Sequence, residues 1–216
     1  MDEIMIEIKN AGVNFKDFAL ENVNLQIPKG YIVGITGANG AGKTTLIKMM
    51  LGLYPAMNGT ITIGGYDVVK QREKMLGITG YVSEDRQFFM EYSAVENEDI
   101  YKNFYPNWNK EKYRNALKTM NVSLNTKVQS LSKGNYIKFQ VAFAAAASPK
   151  LLILDEPTAG LDPVFRVDFL KMLQTLIADE NMTVVMSTNI ADDLEKVADY
   201  IIEIKNGSCV MRENER

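Results

Sequence analysis

The sequence predicts an α/β fold with a mainly parallel core sheet, and three hydrophobic patterns support this prediction. Residues 4–8 and 23–27 alternate between apolar and polar, which is typical of half-buried strands and predicts an N-terminal antiparallel β-subdomain. Residues 31–35 are nearly all apolar and lead through a glycine-rich turn into a helical pattern. Two later apolar runs, residues 151–154 and 183–186, are bordered by helical segments, as strands of a parallel sheet are.

The middle of the chain has a different composition. Residues 93–120 are rich in Asn, Tyr, Lys and Glu and contain no convincing strand pattern. We therefore predict a helical subdomain at about residues 86–135, inserted into the core. No internal repeat, low-complexity tract or proline-rich linker divides the sequence, which favours a single domain over residues 1–216.

Composition excludes several classes of function. The 24 Lys and Arg against 27 Asp and Glu give no strongly basic surface, so a nucleic-acid partner is not expected. Cys209 is the single cysteine, which gives neither a disulfide nor a zinc framework. The sequence has no histidine, so Ser-His-Asp catalysis is excluded and any chemistry must use carboxylates, lysines or hydroxyls.

Two features indicate a location inside the cell. The first residues, Met1, Asp2 and Glu3, do not resemble the basic region of a signal peptide. The longest apolar run, residues 141–147, is far shorter than the roughly 20 residues that cross a bilayer as a helix. We expect a protein that stays in the cytoplasm and does not span a membrane by itself.

Residues 37–44 match the phosphate-loop pattern G-x-x-x-x-G-K-[ST] and lie between a predicted buried strand and a predicted helix. Glycines let successive backbone amides point at phosphate oxygens, Lys43 supplies a charge, and Thr44 offers a hydroxyl to magnesium. The expected ligand is a nucleoside triphosphate with Mg²⁺. The predicted nucleotide-binding residues of this loop are Gly37, Asn39, Gly40, Ala41, Gly42, Lys43, Thr44 and Thr45.

A pair of acids, Asp155 and Glu156, follows the apolar run at residues 151–154. Adjacent like charges are unfavourable unless a cation lies nearby. In a phosphate-binding protein we expect Asp155 to hold magnesium together with Thr44, and Glu156 to orient and deprotonate the attacking water. The alternative is that these acids only end a strand or cap the next helix.

Four further segments follow the phosphate loop in a fixed order: GYVSE at 80–84, LSKGN at 131–135, LDEPT at 154–158 and AGLDP at 159–163. This set resembles the nucleotide-binding subunits of ABC transporters over nearly the whole chain. The resemblance implies the ABC ATPase variant of the P-loop NTPase fold, with ATP and Mg²⁺ as cofactors. LSKGN resembles the signature LSGGQ, with lysine and asparagine at its third and fifth places.

The resemblance also implies an assembly. Two ATPase subunits, identical or different, would pack head to tail and dock beneath separate membrane-spanning subunits, at the cytoplasmic face of the membrane. Ser132 and Gly134 would contact the γ-phosphate held by the opposite subunit, Asp162 would support the opposite phosphate loop, and Phe15 would stack on adenine. Three of these residues also have a structural alternative: a helix N-cap for Ser132 and Asp162, and a core position for Phe15.

Two positions depart from the family's commonest pattern. Glu84 stands where many members have a glutamine that contacts magnesium, and Asn189 replaces the family's switch histidine. Together with Glu156 these residues form the predicted catalytic set, and Glu84 joins Thr44 and Asp155 as a predicted metal ligand. Asparagine cannot carry a positive charge, so we predict normal ATP binding with slow turnover.

The function that the resemblance implies is ATP hydrolysis that powers a multi-subunit transporter. Glu84 and Lys133 resemble the branch that exports drugs, antimicrobial peptides or peptide toxins. A soluble ABC protein acting on ribosomes or DNA, and a regulatory subunit that hydrolyses ATP poorly, remain alternatives. The apolar stretch at residues 88–92 either receives a helix of the membrane subunit or is buried in the helical subdomain.

Overall fold

Two β-sheets and the helices around them form the part of the chain that the computed structural model describes, residues 3–180 and 182–215. Met1 and Asp2, used above in the expectation about a signal peptide, lie outside the described residues. An antiparallel sheet opens the chain, with strand order β2-β1-β4-β5. Its strands are β1 (Ile4–Phe15), β2 (Phe18–Pro28), β4 (Asn58–Ile63) and β5 (Tyr66–Asp67).

The core sheet has six strands in the order β10-β9-β3-β8-β7-β6. All neighbours in it are parallel except the edge pair β9 and β10. The strands are β3 (Ile32–Thr36), β6 (Thr79–Val82), β7 (Leu151–Asp155), β8 (Thr183–Ser187), β9 (Tyr200–Lys205) and β10 (Ser208–Glu213). The predicted α/β fold with a mainly parallel core and an antiparallel N-terminal sheet is therefore confirmed.

Helices pack on both faces of the core sheet. They are α1 (Lys43–Met50), α2 (Arg72–Leu76), α3 (Ala94–Tyr101), α4 (Lys110–Thr119), α5 (Lys133–Ala146), α6 (Pro163–Glu180) and α7 (Ala191–Val197). Short 3-10 turns lie at Lys102–Phe104 and Val128–Ser130. Among the described residues, every helix falls short of the length and apolarity that crossing a bilayer requires.

Alternation along each core strand divides the buried side chains between two clusters. In β7, Leu151 and Ile153 face the cluster that contains the antiparallel sheet and α1, whereas Leu152 and Leu154 face the cluster of α4, α5 and α6. Both faces of the strand are therefore apolar, which explains the unbroken hydrophobic run in the sequence.

The segment between β6 and β7 is helical, as its composition predicted. Several aromatic rings surround Phe143 of α5, with ring centroids between 4.6 and 5.7 Å away. Ser93 and Glu96 form a capping box at the start of α3, and Asn109 caps α4. Sequence-local caps and one aromatic cluster thus hold this region together. Its boundaries at residues 86 and 135 stay a prediction.

Candidate functional site

The phosphate loop joins the end of β3 to the start of α1. Gly42, which caps α1, has a φ of +108°, and a Cβ there would lie 2.3 Å from the Phe18 ring. Gly40 has a φ of +78°, and a Cβ there would meet no atom within 4 Å. Glycine at position 42 is therefore required by close packing as well as by its backbone conformation, whereas the backbone at Gly40 faces open space.

The ammonium group of Lys43 lies at the centre of the site and is only 6% exposed. It donates hydrogen bonds to the carbonyls of Gly37 and Ala38, at 3.1 and 3.3 Å, and to the side-chain oxygen of Asn189. The Glu156 carboxylate lies 3.5 Å from it. The buried ammonium of Lys43 thus contacts both the phosphate loop and two of the three predicted catalytic residues, Glu156 and Asn189.

These groups border an open cavity of about 430 Å³. Every residue that lines it was predicted from the sequence to bind nucleotide or to act in catalysis. The lining residues are Asn39, Gly40, Gly42, Lys43, Thr44, Thr45, Glu156 and Asn189.

A larger cavity of about 780 Å³ lies on the other side of the phosphate loop, between it and the β9–β10 hairpin. Its lining includes three acidic residues, Asp17, Glu21 and Glu203, and one basic residue, Lys205. The acids outnumber the lysine, so the smaller cavity beside the buried Lys43 is the better candidate for an anionic ligand.

Ser187, at the end of β8, was not identified from the sequence, yet it orients both acids. Its hydroxyl donates to Asp155 Oδ1 at 2.7 Å and accepts a hydrogen bond from the Glu156 amide at 2.9 Å. The Thr44 hydroxyl donates to the same Asp155 oxygen at 3.2 Å. Burial, reinforced by the charge of Asp155, raises the pKa of nearby Tyr81 to about 12.

Glu156 has a left-handed backbone, with φ at +52°. This conformation is uncommon for residues other than glycine and typically costs on the order of 1–3 kcal/mol. It occurs where the chain leaves β7, and it places the Glu156 side chain beside the ammonium of Lys43. Strain thus coincides with the predicted general base.

Glu84 is placed differently from the other predicted catalytic residues. It is absent from the described residues that line the cavity beside Lys43, and its carboxylate pairs with Lys133 at 2.7 Å. Its role as a magnesium ligand stays a prediction.

The three residues predicted to face a second subunit occupy helix starts. The Ser132 hydroxyl accepts a hydrogen bond from the Asn135 amide at 3.3 Å and caps α5, and Asp162 caps α6 through the Phe165 amide at 2.9 Å. A Cβ at Gly134 would lie 2.6 Å from the Phe165 ring, so glycine lets the two helix starts approach closely. The capping alternatives are confirmed, and the roles toward a second subunit stay predictions.

Phe15, the predicted adenine contact, lies at the end of β1 and is 41% exposed. Its ring packs edge-on against Tyr54, with the ring centroids 5.3 Å apart. It is therefore not a fully buried core residue, and its stacking on adenine stays a prediction.

Comparison with known proteins places the chain in a family. The family described as "ABC transporter" matches residues 20–159, well over half of the chain. The chain is 31% identical over 190 residues to the uncharacterized ABC transporter ATP-binding protein YdbJ of Bacillus subtilis, a match that covers 87% of this chain and 62% of YdbJ. It is 32% identical over 194 residues to the bacitracin transport ATP-binding protein BcrA of Bacillus licheniformis, covering 89% of this chain and 63% of BcrA. It thus spans less than two thirds of the length of these curated relatives.

A solved structure agrees with this result. The structure of cbiO1 from Clostridium perfringens, described as part of the ABC transporter complex cbiONQ, matches with a TM-score of 0.86 and 25% identity. The match covers 99% of this chain and 89% of cbiO1. Sequence family, fold and the arrangement of the phosphate loop with its paired acids therefore agree, and the chain belongs to the ABC transporter family of ATP-binding proteins.

Proposed function

We propose that the chain is the ATP-binding and ATP-hydrolysing subunit of an ABC transporter. One observation carries the proposal: the buried Lys43 ammonium holds the phosphate-loop carbonyls, Asn189 and Glu156 around one cavity. A triphosphate in that cavity would meet a full positive charge, loop amides and the positive end of α1. The same cavity supplies a carboxylate beside the position of the terminal phosphate.

Magnesium fits the donors found here. Thr44 and Asp155 supply hydroxyl and carboxylate oxygens that already lie 3.2 Å apart, and hard oxygen donors are those that Mg²⁺ prefers. These two residues would hold the ion, with Glu84 as a third ligand on the basis of the family resemblance. When bound, the ion neutralises charge on the phosphates.

Glu156 is the proposed general base. Its carboxylate is 20% exposed, so water has access to it, and Ser187 fixes its backbone. Asn189 would contact the γ-phosphate through an amide instead of an imidazole. Losing a charged, preorganised contact typically lowers the rate on the order of 10²- to 10³-fold, so we propose near-normal ATP affinity with slow turnover.

We propose that two ATPase subunits, identical or different, close around two ATP molecules. Ser132 and Gly134 at the start of α5 would contact the ATP of the opposite subunit, and Asp162 would lie in the interface. Residues 86–135 would form the helical subdomain that contains Ser132 and Gly134. The exposed position of Ser132 and Asp162 supports these roles.

A membrane subunit would dock on an apolar patch of the helical region. The patch consists of Phe89 and Tyr92, which are 49% and 43% exposed and have ring centroids 5.6 Å apart. The other two residues of the predicted docking face, Phe88 and Met90, pack against the core instead. Asn97 is buried beneath it and exchanges two hydrogen bonds with the Phe89 backbone, both at 3.0 Å. The Asn97 hydrogen bonds fix the backbone that carries these exposed aromatic side chains. An exposed apolar surface on a fixed backbone could bind an amphipathic helix of the membrane-spanning subunit, at the cytoplasmic face of the membrane.

The proposed cargo is a peptide or drug-like molecule that the transporter exports. Two features support this: similarity to a bacitracin transport protein, and the combination of Glu84 with Lys133, which resembles the exporter branch.

Copurification from solubilised membranes tests the assembly, because the bound chains identify the membrane partner and show whether the second ATPase subunit is identical. Recovery with ribosomes or DNA instead of a membrane protein would overturn the transporter assignment.

Hydrolysis and dimerisation are tested together with Glu156→Gln. The variant is expected to bind MgATP, to hydrolyse it far more slowly than the wild type, and to accumulate as an ATP-dependent dimer. Glu203→Gln, a change in the acidic cavity on the other side of the loop, is the matched control and should leave hydrolysis unchanged. A Glu156→Gln protein that stays monomeric at saturating MgATP contradicts the dimer model.

A further inference from the structure

Asp193 is a buried acid that the proposed mechanism does not use. It lies in the first turn of α7, four residues after Asn189, and is 2% exposed. Burying a carboxylate costs free energy unless it is paired and hydrogen-bonded. The hydrogen-bond partners of Asp193 therefore identify the segments that this residue connects.

Three donors satisfy the Asp193 carboxylate. Arg166 of α6 binds it as a fork, with Nη2 at 2.7 Å from Oδ1 and Nε at 3.2 Å from Oδ2. The hydroxyl of the buried Thr158 donates to Oδ2 at 3.1 Å. We call Thr158, Arg166 and Asp193 the Asp193 cluster.

Each member of the Asp193 cluster belongs to a different functional segment. Thr158 follows the strained turn at Glu156 by two residues. Arg166 lies one turn into α6, and its amide bonds the carbonyl of Asp162 at 3.1 Å. Asp193 closes the turn that directly follows Asn189, since its amide donates to the Ile190 carbonyl at 3.1 Å.

The fork geometry restricts orientation as well as distance. Two parallel hydrogen bonds between a guanidinium and a carboxylate fix the rotation of one helix against the other, which a lysine at the same position would not do. The fork thus connects the start of α6 rigidly to the start of α7, which directly follows Asn189.

We propose that Asp193 is a positioning residue that couples the start of α6, with Asp162, to the catalytic turns at Glu156 and Asn189. The inference rests on the proposed ATPase function and deepens it: contact at Asp162 would set the alignment of both catalytic side chains. Misplacing a catalytic group slightly can cost on the order of 10²-fold in rate.

The test uses the full chain with Asp193→Asn, and with Asp192→Asn as the matched control. Asp192 is the neighbouring acid in the same helical turn and is exposed, so both changes remove one charge from the same helix end. Asp193→Asn is expected to lower kcat at least about tenfold while the affinity for a non-hydrolysable ATP analogue stays within about twofold, because only alignment is lost. Asp192→Asn should leave both quantities unchanged.

A second pair keeps the test valid if Asp193→Asn does not fold. Thr158→Val removes the hydroxyl at constant shape and should lower kcat, whereas Thr158→Ser keeps the hydroxyl and should restore it. Equal kcat in Thr158→Val and Thr158→Ser, or a parallel loss of affinity and kcat in Asp193→Asn, overturns the proposal.

A third measurement needs no nucleotide and so separates this proposal from the proposed ATPase function. Amide hydrogen exchange at positions 156, 158 and 159 and at positions 187–190 should accelerate in Asp193→Asn and Thr158→Val but not in Asp192→Asn. Unchanged exchange at both turns overturns the coupling even if the protein hydrolyses ATP. Accelerated exchange supports the coupling even if the wild type shows no ATPase activity. Absence of ATPase activity would overturn the proposed function but not the coupling.

Discussion

The Glu84 carboxylate and the Lys133 ammonium form an ion pair at 2.7 Å that joins the segment after β6 to the first residue of α5. The first turn of α5 contains no acidic residue, and a cation at a helix N-terminus is disfavoured by the helix dipole. Glu84 supplies the missing negative charge from outside the helix. The glutamate at position 84 and the lysine at the third place of the signature therefore compensate each other's charge in this chain.

Lys133 is one of three residues of α5 that hold this segment. Tyr136 accepts a hydrogen bond from the Gln87 amide at 3.2 Å, and Gln140 donates to the Ser83 carbonyl at 2.8 Å. We predict that Gln140→Leu lowers the free energy of unfolding by about 1–3 kcal/mol, because it leaves the buried Ser83 backbone without a partner. Lys133→Met should change it by less than about 1 kcal/mol, since the ion pair is half exposed. Urea unfolding of both variants checks the contrast, and equal losses would contradict it.

Lys43→Met should raise the Kd for ATP more than about tenfold, because a buried charge that faces the phosphates is lost. Lys48→Met is the matched control on the same helix. Its ammonium lies 5.6 Å from the centre of the Tyr54 ring, outside the residues that line the cavity beside Lys43. Calorimetric titration with ATP compares the two. Equal affinities would show that the cavity is not the phosphate site.

Asn189→His should raise kcat about tenfold or more and leave ATP affinity nearly unchanged, because an imidazole can carry charge in the transition state. Asn103→His, on the exposed surface of the helical region, controls for adding a histidine to a chain that has none. Steady-state ATPase rates decide the matter. A wild type with a high ATPase rate that does not rise in Asn189→His would mean that other groups already stabilise the transition state in place of the histidine.

Phe88 and Phe89 are adjacent but have opposite environments, so they test the proposed docking patch. Phe88 packs against Phe139 and Phe143, with ring centroids 4.7 and 4.9 Å away, whereas Phe89 is 49% exposed. Phe88→Asp should unfold the subunit or destabilise it by about 3 kcal/mol or more, because it buries a charge. Phe89→Asp should keep the fold and abolish copurification of the membrane partner. Retained copurification with Phe89→Asp would reject the patch as a docking site.

Cys209 gives a prediction about alkaline pH. Burial raises the pKa of its thiol from 9.0 to about 11, so the folded protein favours the protonated form more than the unfolded chain does. Stability from this group is complete below pH 9 and is lost as the pH rises toward 11. The loss is on the order of 2 kcal/mol. Cys209→Ala should show a shallower decline of unfolding free energy between pH 9 and 11, measured by urea unfolding. An unchanged decline would assign it to other groups, such as Tyr81.

The sequence predicted the strands that are buried on both faces and missed several strands with many exposed positions. The strands β3, β7 and β8 are buried on both faces, so each is a continuous apolar run. The edge strand β10 has no fully buried residue, and half of β4 is exposed. Their hydrophobic patterns are therefore weak, and neither strand was predicted.

The candidate site was predictable where function resides in contiguous residues. The phosphate loop and the pair Asp155 and Glu156 were predicted from local motifs, and the structure brings them together. Ser187 and Asp193 act on partners more than 30 positions away, namely Asp155 and Thr158. The contact between Ser187 and Asp155 depends on the pairing of β7 with β8, which places the two residues opposite each other. This pairing is known only from the structure.

The left-handed backbone at Glu156 implies a trade-off between folding and chemistry. On stability alone this position favours glycine or asparagine, which adopt that conformation at little cost. A carboxylate there reduces the folding free energy, and the surrounding strands and the Ser187 hydrogen bond must offset that reduction. Selection of this protein for thermal stability without a requirement for ATP turnover is therefore expected to favour replacement of Glu156, the proposed general base, by glycine or asparagine.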